Sequence, residues 1–217
     1  FAECYTAHVE HRVPALPDLP ITYRDYAAWQ RHHLTDHHLS DHLDYWRTTL
    51  ADVTPLTLPT DHPRPPVRRS TGATLTLPLP PELGIRLRHL AQDQDVTLFT
   101  VLLAVTTLWL ARHTGNPDVV VGTATSGRGQ PEVRDVVGFF VNTVALRTRV
   151  EERESFTALL ARVRETVLGA FAHEDVPFDR VVDAVWTHRD PSRNPLVEVM
   201  VVLDNTPQRP ITLPDLT

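Results

Sequence analysis

The sequence predicts an α/β chain in which helices pack on a mixed sheet. Three observations predict it. Apolar residues recur at three- and four-residue steps in two long segments, the mark of a one-faced helix. Residues 73–79 alternate polar and apolar, the mark of a half-buried strand. Short apolar runs at 119–121 and 197–203 are bounded by turn-forming residues. The order is helices, strand, two helices, strands, two helices, strand, which implies layered packing around one core.

Residues 1–11 read as the tail of a helix, broken by Pro14, Pro17 and Pro20, which lack the amide donor and clash with the preceding turn. From Thr22 the pattern is helical, and Leu39, Leu43, Trp46 and Leu50 form one apolar stripe. Residues 53–72 carry Pro55, Pro59, Pro63, Pro65 and Pro66 and read as a linker crossing a surface. In the strand expected at 73–79, Leu75, Leu77 and Leu79 share a face. Leu83, Leu87 and Leu90 predict a helix with Pro81 tolerated in its first turn. Thr97 is an N-cap for a helix over 98–112, apolar almost all round and therefore buried on several sides, and Gly115 stops it.

A buried strand is expected at 119–121, followed by a small-residue loop at 122–128. A second strand is expected over 136–150, with a bulge near Gly138. Ser155 caps a helix carrying Phe156, Leu159, Leu160, Val163, Val167 and Phe171. A short helix from Pro177 to Trp186 and a strand over 197–203 close the pattern.

The bulk properties exclude several classes. The net charge of −6, without a basic run, argues against a nucleic-acid surface. A single cysteine, Cys4, rules out an internal disulfide and fits a reducing, cytoplasmic setting. The longest apolar stretch, 98–110, is too short to span a bilayer.

Candidate chemistry is sparse. His32, His33, His37, His38 and His42 include pairs at four-residue spacing, but no third ligand is specified, so a solvated polar face is expected and no metal site. The loop 122–129 lacks the Gly-Lys-Ser/Thr ending of a phosphate loop. It is either a strand-end turn or a cavity wall with Arg128 as an ion-pair partner. Ser126 does not sit in Gly-x-Ser-x-Gly, and no nucleophile–base pair is visible. Asn142 and Asn205 stand at the ends of apolar runs, each either a structural hydrogen-bond knot or a substrate-facing amide. Asp190, Ser192 and Asn194 build turns, while Arg189 and Arg193 are cations for carboxylates or an acidic partner.

Four stretches in one order carry more: Tyr23-Arg-Asp-Tyr-Ala-Ala-Trp29, Val137-Gly-Phe-Phe-Val-Asn-Thr143, His173-Glu-Asp-Val-Pro-Phe-Asp179 and Arg189-Asp-Pro-Ser-Arg-Asn-Pro-Leu196. With Tyr45-Trp46, Leu58-Pro-Thr-Asp61, Thr97-Leu-Phe99, Val121-Gly122, Gly127-Arg128 and Val199-Met200, they resemble the condensation domains of nonribosomal peptide synthetases along essentially the whole chain. Glu174 departs from the usual Gln, and Val197-Glu198 from the usual Phe-Gln.

The resemblance implies a chloramphenicol-acetyltransferase-like fold of two lobes with a tunnel between them. It implies peptide-bond formation between donor acyl and acceptor aminoacyl thioesters, both held on the phosphopantetheine arms of carrier proteins. No cofactor is expected to bind directly. The catalytic His-His-x-x-x-Asp-Gly motif is absent. His32-His33-Leu-Thr-Asp36 and His37-His38-Leu-Ser-Asp41 have two residues rather than three between His and Asp, and no Gly follows. The motif is expected upstream of Phe1, and the chain alone is expected to be inactive.

The resemblance divides the chain into a helical crossover (1–52), a linker (53–72) and a C-terminal lobe (73–217), truncated at both ends. Ser126, Arg128, Asn142 and Asn205 are then candidates for the tunnel wall or lobe interface, with Arg128 facing an acidic group across it. Expected partners are carrier proteins, the N-terminal lobe and an adenylation domain. An epimerisation domain or a non-catalytic docking module are the alternatives.

Overall fold

The computed structural model describes residues 2–34, 36–186, 190–205 and 213–214, with residues 36–38 through their backbone only. The side chains of His37 and His38, and Arg189, lie outside the described residues.

Three helices lead: α1 (Ala2–Val9), α2 (Tyr23–His33) and α3 (Asp36–Thr49). The single helical stretch expected after Thr22 is two, because α2 ends at Leu34 outside helical geometry (φ −79°, ψ 53°). His33 and His42 therefore lie on different helices, and the His42 ring packs edge-on against His173 at 4.9 Å. Residues 53–72 form no regular element, as the prolines require, although Leu56 anchors them in the core.

Helix α4 (Pro81–Asp93) and helix α5 (Leu98–Thr114) follow. The Thr97 hydroxyl accepts from the Thr100 amide at 3.1 Å, and Gly115 ends α5 in the left-handed region at φ 71°. Helix α5 is buried on several sides, but Val105 and Trp109 stay exposed on one stripe. No single described helix is long and apolar enough to cross a membrane; α4 and α5 pass such a test only as a pair bent by 103°.

Strand β1 (Asp118–Thr125) pairs antiparallel with β2 (Asn142–Arg149), from Asp118 opposite Arg149 to Thr125 opposite Asn142. On the other edge of β1, the Gly122 amide donates to the Val199 carbonyl at 2.8 Å and the Gly122 carbonyl accepts from Val201 at 2.9 Å. This makes a parallel bridge to Met200, so the sheet is mixed. Consecutive residues of β1 and β2 are buried, which means that both faces are covered. Helices α5 and α6 (Phe156–Phe171) pack on each other and on the strands, while α7 (Phe178–Val185) lies between α3 and β2. Arg147 fastens α3 to the sheet. It pairs with Asp118 at 2.6 Å and donates to the Thr49 and Ala51 carbonyls at 2.9 and 2.7 Å.

Four expectations are corrected. Residues 73–79 form no strand, and Leu75, Leu77 and Leu79 are exposed; Pro78 removes a ladder donor and no described edge pairs with them. Strand β1 runs on through Gly122 to Thr125, so the loop begins only at Ser126. Strand β2 starts at Asn142, not 136, and there is no bulge at Gly138, because residues 133–140 are drawn into a loop described below. The strand expected at 197–203 pairs only around Met200.

A Cβ at residue 122 would stand 2.5 Å from Val197 Cγ1 and 3.3 Å from Met200 Cγ. Val197 is stiff at χ1 and cannot swing away cheaply. Gly122→Ala is expected to destabilise the protein by about 1–3 kcal/mol, read as a lower midpoint of chemical unfolding.

Candidate functional site

The ladder ends at the Thr125–Asn142 pair, and a cavity of about 420 Å³ opens there. Three of the four sequence stretches meet around it: 23–29 on α2, 137–143 leading into β2, and 173–179 between α6 and α7.

Helix α2 is held by a capping box. Thr22 Oγ1 accepts from the Asp25 amide at 3.3 Å, and Asp25 Oδ2 accepts from the Thr22 amide at 2.8 Å. Spacings of three residues then set Tyr23, Tyr26 and Trp29 on one face. Their rings follow each other at 6.1 and 5.7 Å, and Trp29 stacks on His33 at 4.7 Å. Phe140 packs against Tyr23 and Tyr26 at 5.2 and 4.6 Å, and the Tyr23 hydroxyl donates to the Phe139 carbonyl at 2.9 Å. Gly138 lies under the Tyr23 ring, where a Cβ would collide with it.

Arg128 is not a lining residue but holds the loop that supplies Val133 and Phe140 to the cavity. Its guanidinium donates to the carbonyls of Val133 at 2.5 Å, Val136 at 2.8 Å and Arg134 at 3.2 Å, with a longer contact of 3.5 Å to Gly138. Its plane lies 4.2 Å over the Phe140 ring. These contacts, rather than a ladder, satisfy the loop carbonyls and delay the start of β2. Among the described residues Arg128 faces backbone oxygens and a ring. Ser126 is exposed, and its hydroxyl accepts from the Arg128 amide at 3.3 Å in a local turn.

The Asn142 side chain ties β2 to the α6–α7 turn. Its amide donates to the Glu174 and Val176 carbonyls at 2.7 and 2.8 Å; its oxygen accepts from the Thr143 and Phe178 amides at 2.9 and 3.1 Å. The carboxamide is thus committed to backbone although the residue lines the cavity. Asn205 is exposed and is not among the lining residues. The structure therefore gathers Ser126, Arg128 and Asn142 around one loop and leaves Asn205 apart.

Sequence reasoning gave no role to Thr125, Tyr26, Trp29, Glu174 or Asp175, all of which line the cavity. The three-residue spacing of Tyr23, Tyr26 and Trp29 was the available signal. Burial pushes the Glu174 carboxyl above the usual carboxylate range, with the Asp175 charge adding to it and the nearby Thr125 hydroxyl working against it. Burial likewise raises the Tyr26 phenol, with the charge of Asp175 next. His173 is structural: its ring stacks on Tyr45 at 3.8 Å, and its carbonyl accepts from the Trp46 indole at 3.2 Å.

The fourth stretch lies against the proline-rich segment. The Arg68 amide donates to the Pro191 carbonyl at 3.0 Å, and Arg64 donates to the Ser192 carbonyl at 3.3 Å. Glu198 sits between Arg64 at 3.5 Å and Arg193 at 3.7 Å. Asp190 accepts from the Ser192 amide at 2.8 Å, the turn its side chain favours.

The family model of the condensation domain matches residues 1–214, and the chain belongs to that family. It is 45% identical over 205 residues to a linear gramicidin synthase of Brevibacillus parabrevis, covering 94% of this chain and 4% of that synthase. Its structure resembles the X-domain from teicoplanin biosynthesis, solved in complex with OxyB, with a TM-score of 0.84, 26% identity and coverage of 92% of this chain and 45% of the other. It also resembles the first condensation domain of the CDA synthetase, with a TM-score of 0.72, 23% identity and coverage of 99% and 46%. The α/β fold expected from the sequence, of the chloramphenicol-acetyltransferase-like type, is the fold of these neighbours. The chain spans less than half the length of each of these proteins.

Two outcomes follow from the geometry. Asn142→Ala leaves two carbonyls and two amides without their partner, at an expected cost of about 2–4 kcal/mol, measured by chemical unfolding. Glu174 holds its proton more tightly folded than unfolded, so stability falls as pH rises from about 4.3, the ordinary glutamate value, through the folded value. Glu174→Gln is therefore expected to unfold at a higher temperature than the parent at pH 7, with the difference closing below pH about 4.

Proposed function

We propose that this chain forms the C-terminal lobe of a condensation domain that joins donor acyl and acceptor aminoacyl thioesters carried on phosphopantetheine arms. One observation carries the reading: stretches around residues 23–29, 137–143 and 173–179, far apart in sequence, converge on one cavity. Likeness to gramicidin synthase at 45% identity supports the same chemistry.

Donor thioester and acceptor amine differ from solution reactants in being tethered, so a wall that aligns them supplies rate by proximity. The chain's own residues provide the wall. Arg128 holds the 133–138 carbonyls, Phe140 and Tyr23 close the loop on α2, and Asn142 fixes the α6–α7 turn against β2. The His-His-x-x-x-Asp-Gly motif is not in this chain, and no described nucleophile–base pair replaces it. Carrier proteins and an adenylation domain are the partners in this reading. The phosphopantetheine arm belongs to the carrier in this reading.

A module that docks a partner without forming the bond is the second reading, supported by likeness to the teicoplanin X-domain, which was solved with OxyB bound.

The test is peptide-bond formation by the full-length protein with two loaded carriers. Amide product is expected, and Arg128→Ala is expected to slow it about 10- to 100-fold by loosening the wall. Loaded carriers that yield only an inverted α-carbon would replace the reading with epimerisation. Binding of a partner without product would replace it with docking.

A further inference from the structure

One glycine sits where its helix does not favour it. Gly169 lies in the last turn of α6, at a position where alanine is the better helix former. A Cβ there would stand 2.8 Å from the Tyr45 hydroxyl of α3 and 3.5 Å from Tyr45 Cζ. Glycine therefore lets the Tyr45 ring come down on the end of α6.

Tyr45 is not free to yield. Its ring lies flat on the His173 imidazole at 3.8 Å and 6°, and edge-on to Trp46 at 5.0 Å and 78°. His173 is itself fixed at three points. Its Nδ1 donates to the Gly169 carbonyl at 2.8 Å, its carbonyl accepts from the Trp46 indole at 3.2 Å, and the His42 ring closes on it at 4.9 Å. The residues that follow, Glu174, Asp175, Pro177 and Phe178, line the cavity. The Asn142 side chain holds the same turn from β2. In close packing a ring moves only with its neighbours. A push on Tyr45 is thus passed to His173 and on to the cavity wall.

We infer that Tyr45 is a positioning residue for the cavity: its ring, seated over Gly169 and against His173, sets where the wall formed by residues 174–178 stands relative to α2 and Asn142. Tyr45 does not line the cavity and acts through His173. The ring makes the stack, and the hydroxyl is the atom nearest residue 169. That the wall serves amide formation rests on the peptide-bond reading; that Tyr45 sets the wall does not.

Two readouts on the full-length protein separate these points: the rate of amide formation from two loaded carriers, and hydrogen exchange of the Phe178 amide, which Asn142 Oδ1 accepts. Gly169→Ala favours the helix but sets a methyl against the Tyr45 hydroxyl. It is expected to slow amide formation about 10- to 100-fold, as a small misplacement of reacting groups does, and to speed exchange at Phe178. Adding Tyr45→Phe removes the atom that the methyl meets and keeps the ring. The double variant is expected to recover most of the rate and the slow exchange, the coupling that a double-mutant cycle reads. Tyr45→Leu removes the ring and is expected to be slow with either glycine or alanine at 169.

Rates are compared well below the unfolding temperature of each variant. Parent rate and parent exchange in Gly169→Ala, no recovery on adding Tyr45→Phe, or equal slowing by Gly122→Ala, which is crowded away from the cavity lining, overturns the inference. A parent protein that forms no amide, while Phe178 exchange still follows residues 45 and 169 as expected, removes the peptide-bond reading and keeps the role of Tyr45.

Discussion

The architecture around the cavity depends on one carboxamide. Asn142 opens β2, stands opposite the last residue of β1, and spends its donors and its oxygen on the α6–α7 turn and its own strand. A single rigid amide thereby joins the sheet to the segment that carries Glu174 and Asp175. Side-chain-to-backbone bonds of this kind work where a ladder has ended and carbonyls still need donors. The Trp46 indole on the His173 carbonyl and the Tyr45 ring on the His173 imidazole hold the same segment from α3.

Arg128 solves the same problem on the other side. The loop from 133 to 140 carries carbonyls that no strand pairs, and one guanidinium collects them while its face rests on Phe140. Arginine suits this better than a lysine point charge, because its planar fork reaches several oxygens and still stacks. Phe140 passes the constraint to Tyr23 and Tyr26, so the loop and α2 are positioned together. Glycine at 138 is the condition for this close approach. The cost appears at Val137 and Phe139, which the loop turns outward.

Local rules made much of the fold legible. Thr97 and Ser155 cap helices, and Gly115 ends one, because these signals act within a few residues. Strands were legible where burial on both faces made a continuous apolar run, as at 119–121. The alternation of Leu75, Leu77 and Leu79 misled, since a strand exists only with a partner edge and Pro78 weakens any ladder. The apolar run before Asn142 misled for the complementary reason: its carbonyls found Arg128 instead of a neighbouring strand.

Of the candidate site, the stretches were visible in the sequence, and Asn142 and Arg128 stood out there as candidates. Their partners were not visible. By itself the sequence determined most of the helices, the Thr97 and Ser155 caps, the centre of strand β1 and the family, because these depend on short-range periodicity and on residue order. Only the tertiary structure decided that Tyr26, Trp29, Thr125 and Glu174 share one cavity. They come from α2, the end of β1 and the α6–α7 turn, and nothing in their local sequence encodes the distance between those elements. Their meeting follows from long-range hydrogen bonds and ring packing, which exist only once the chain has folded.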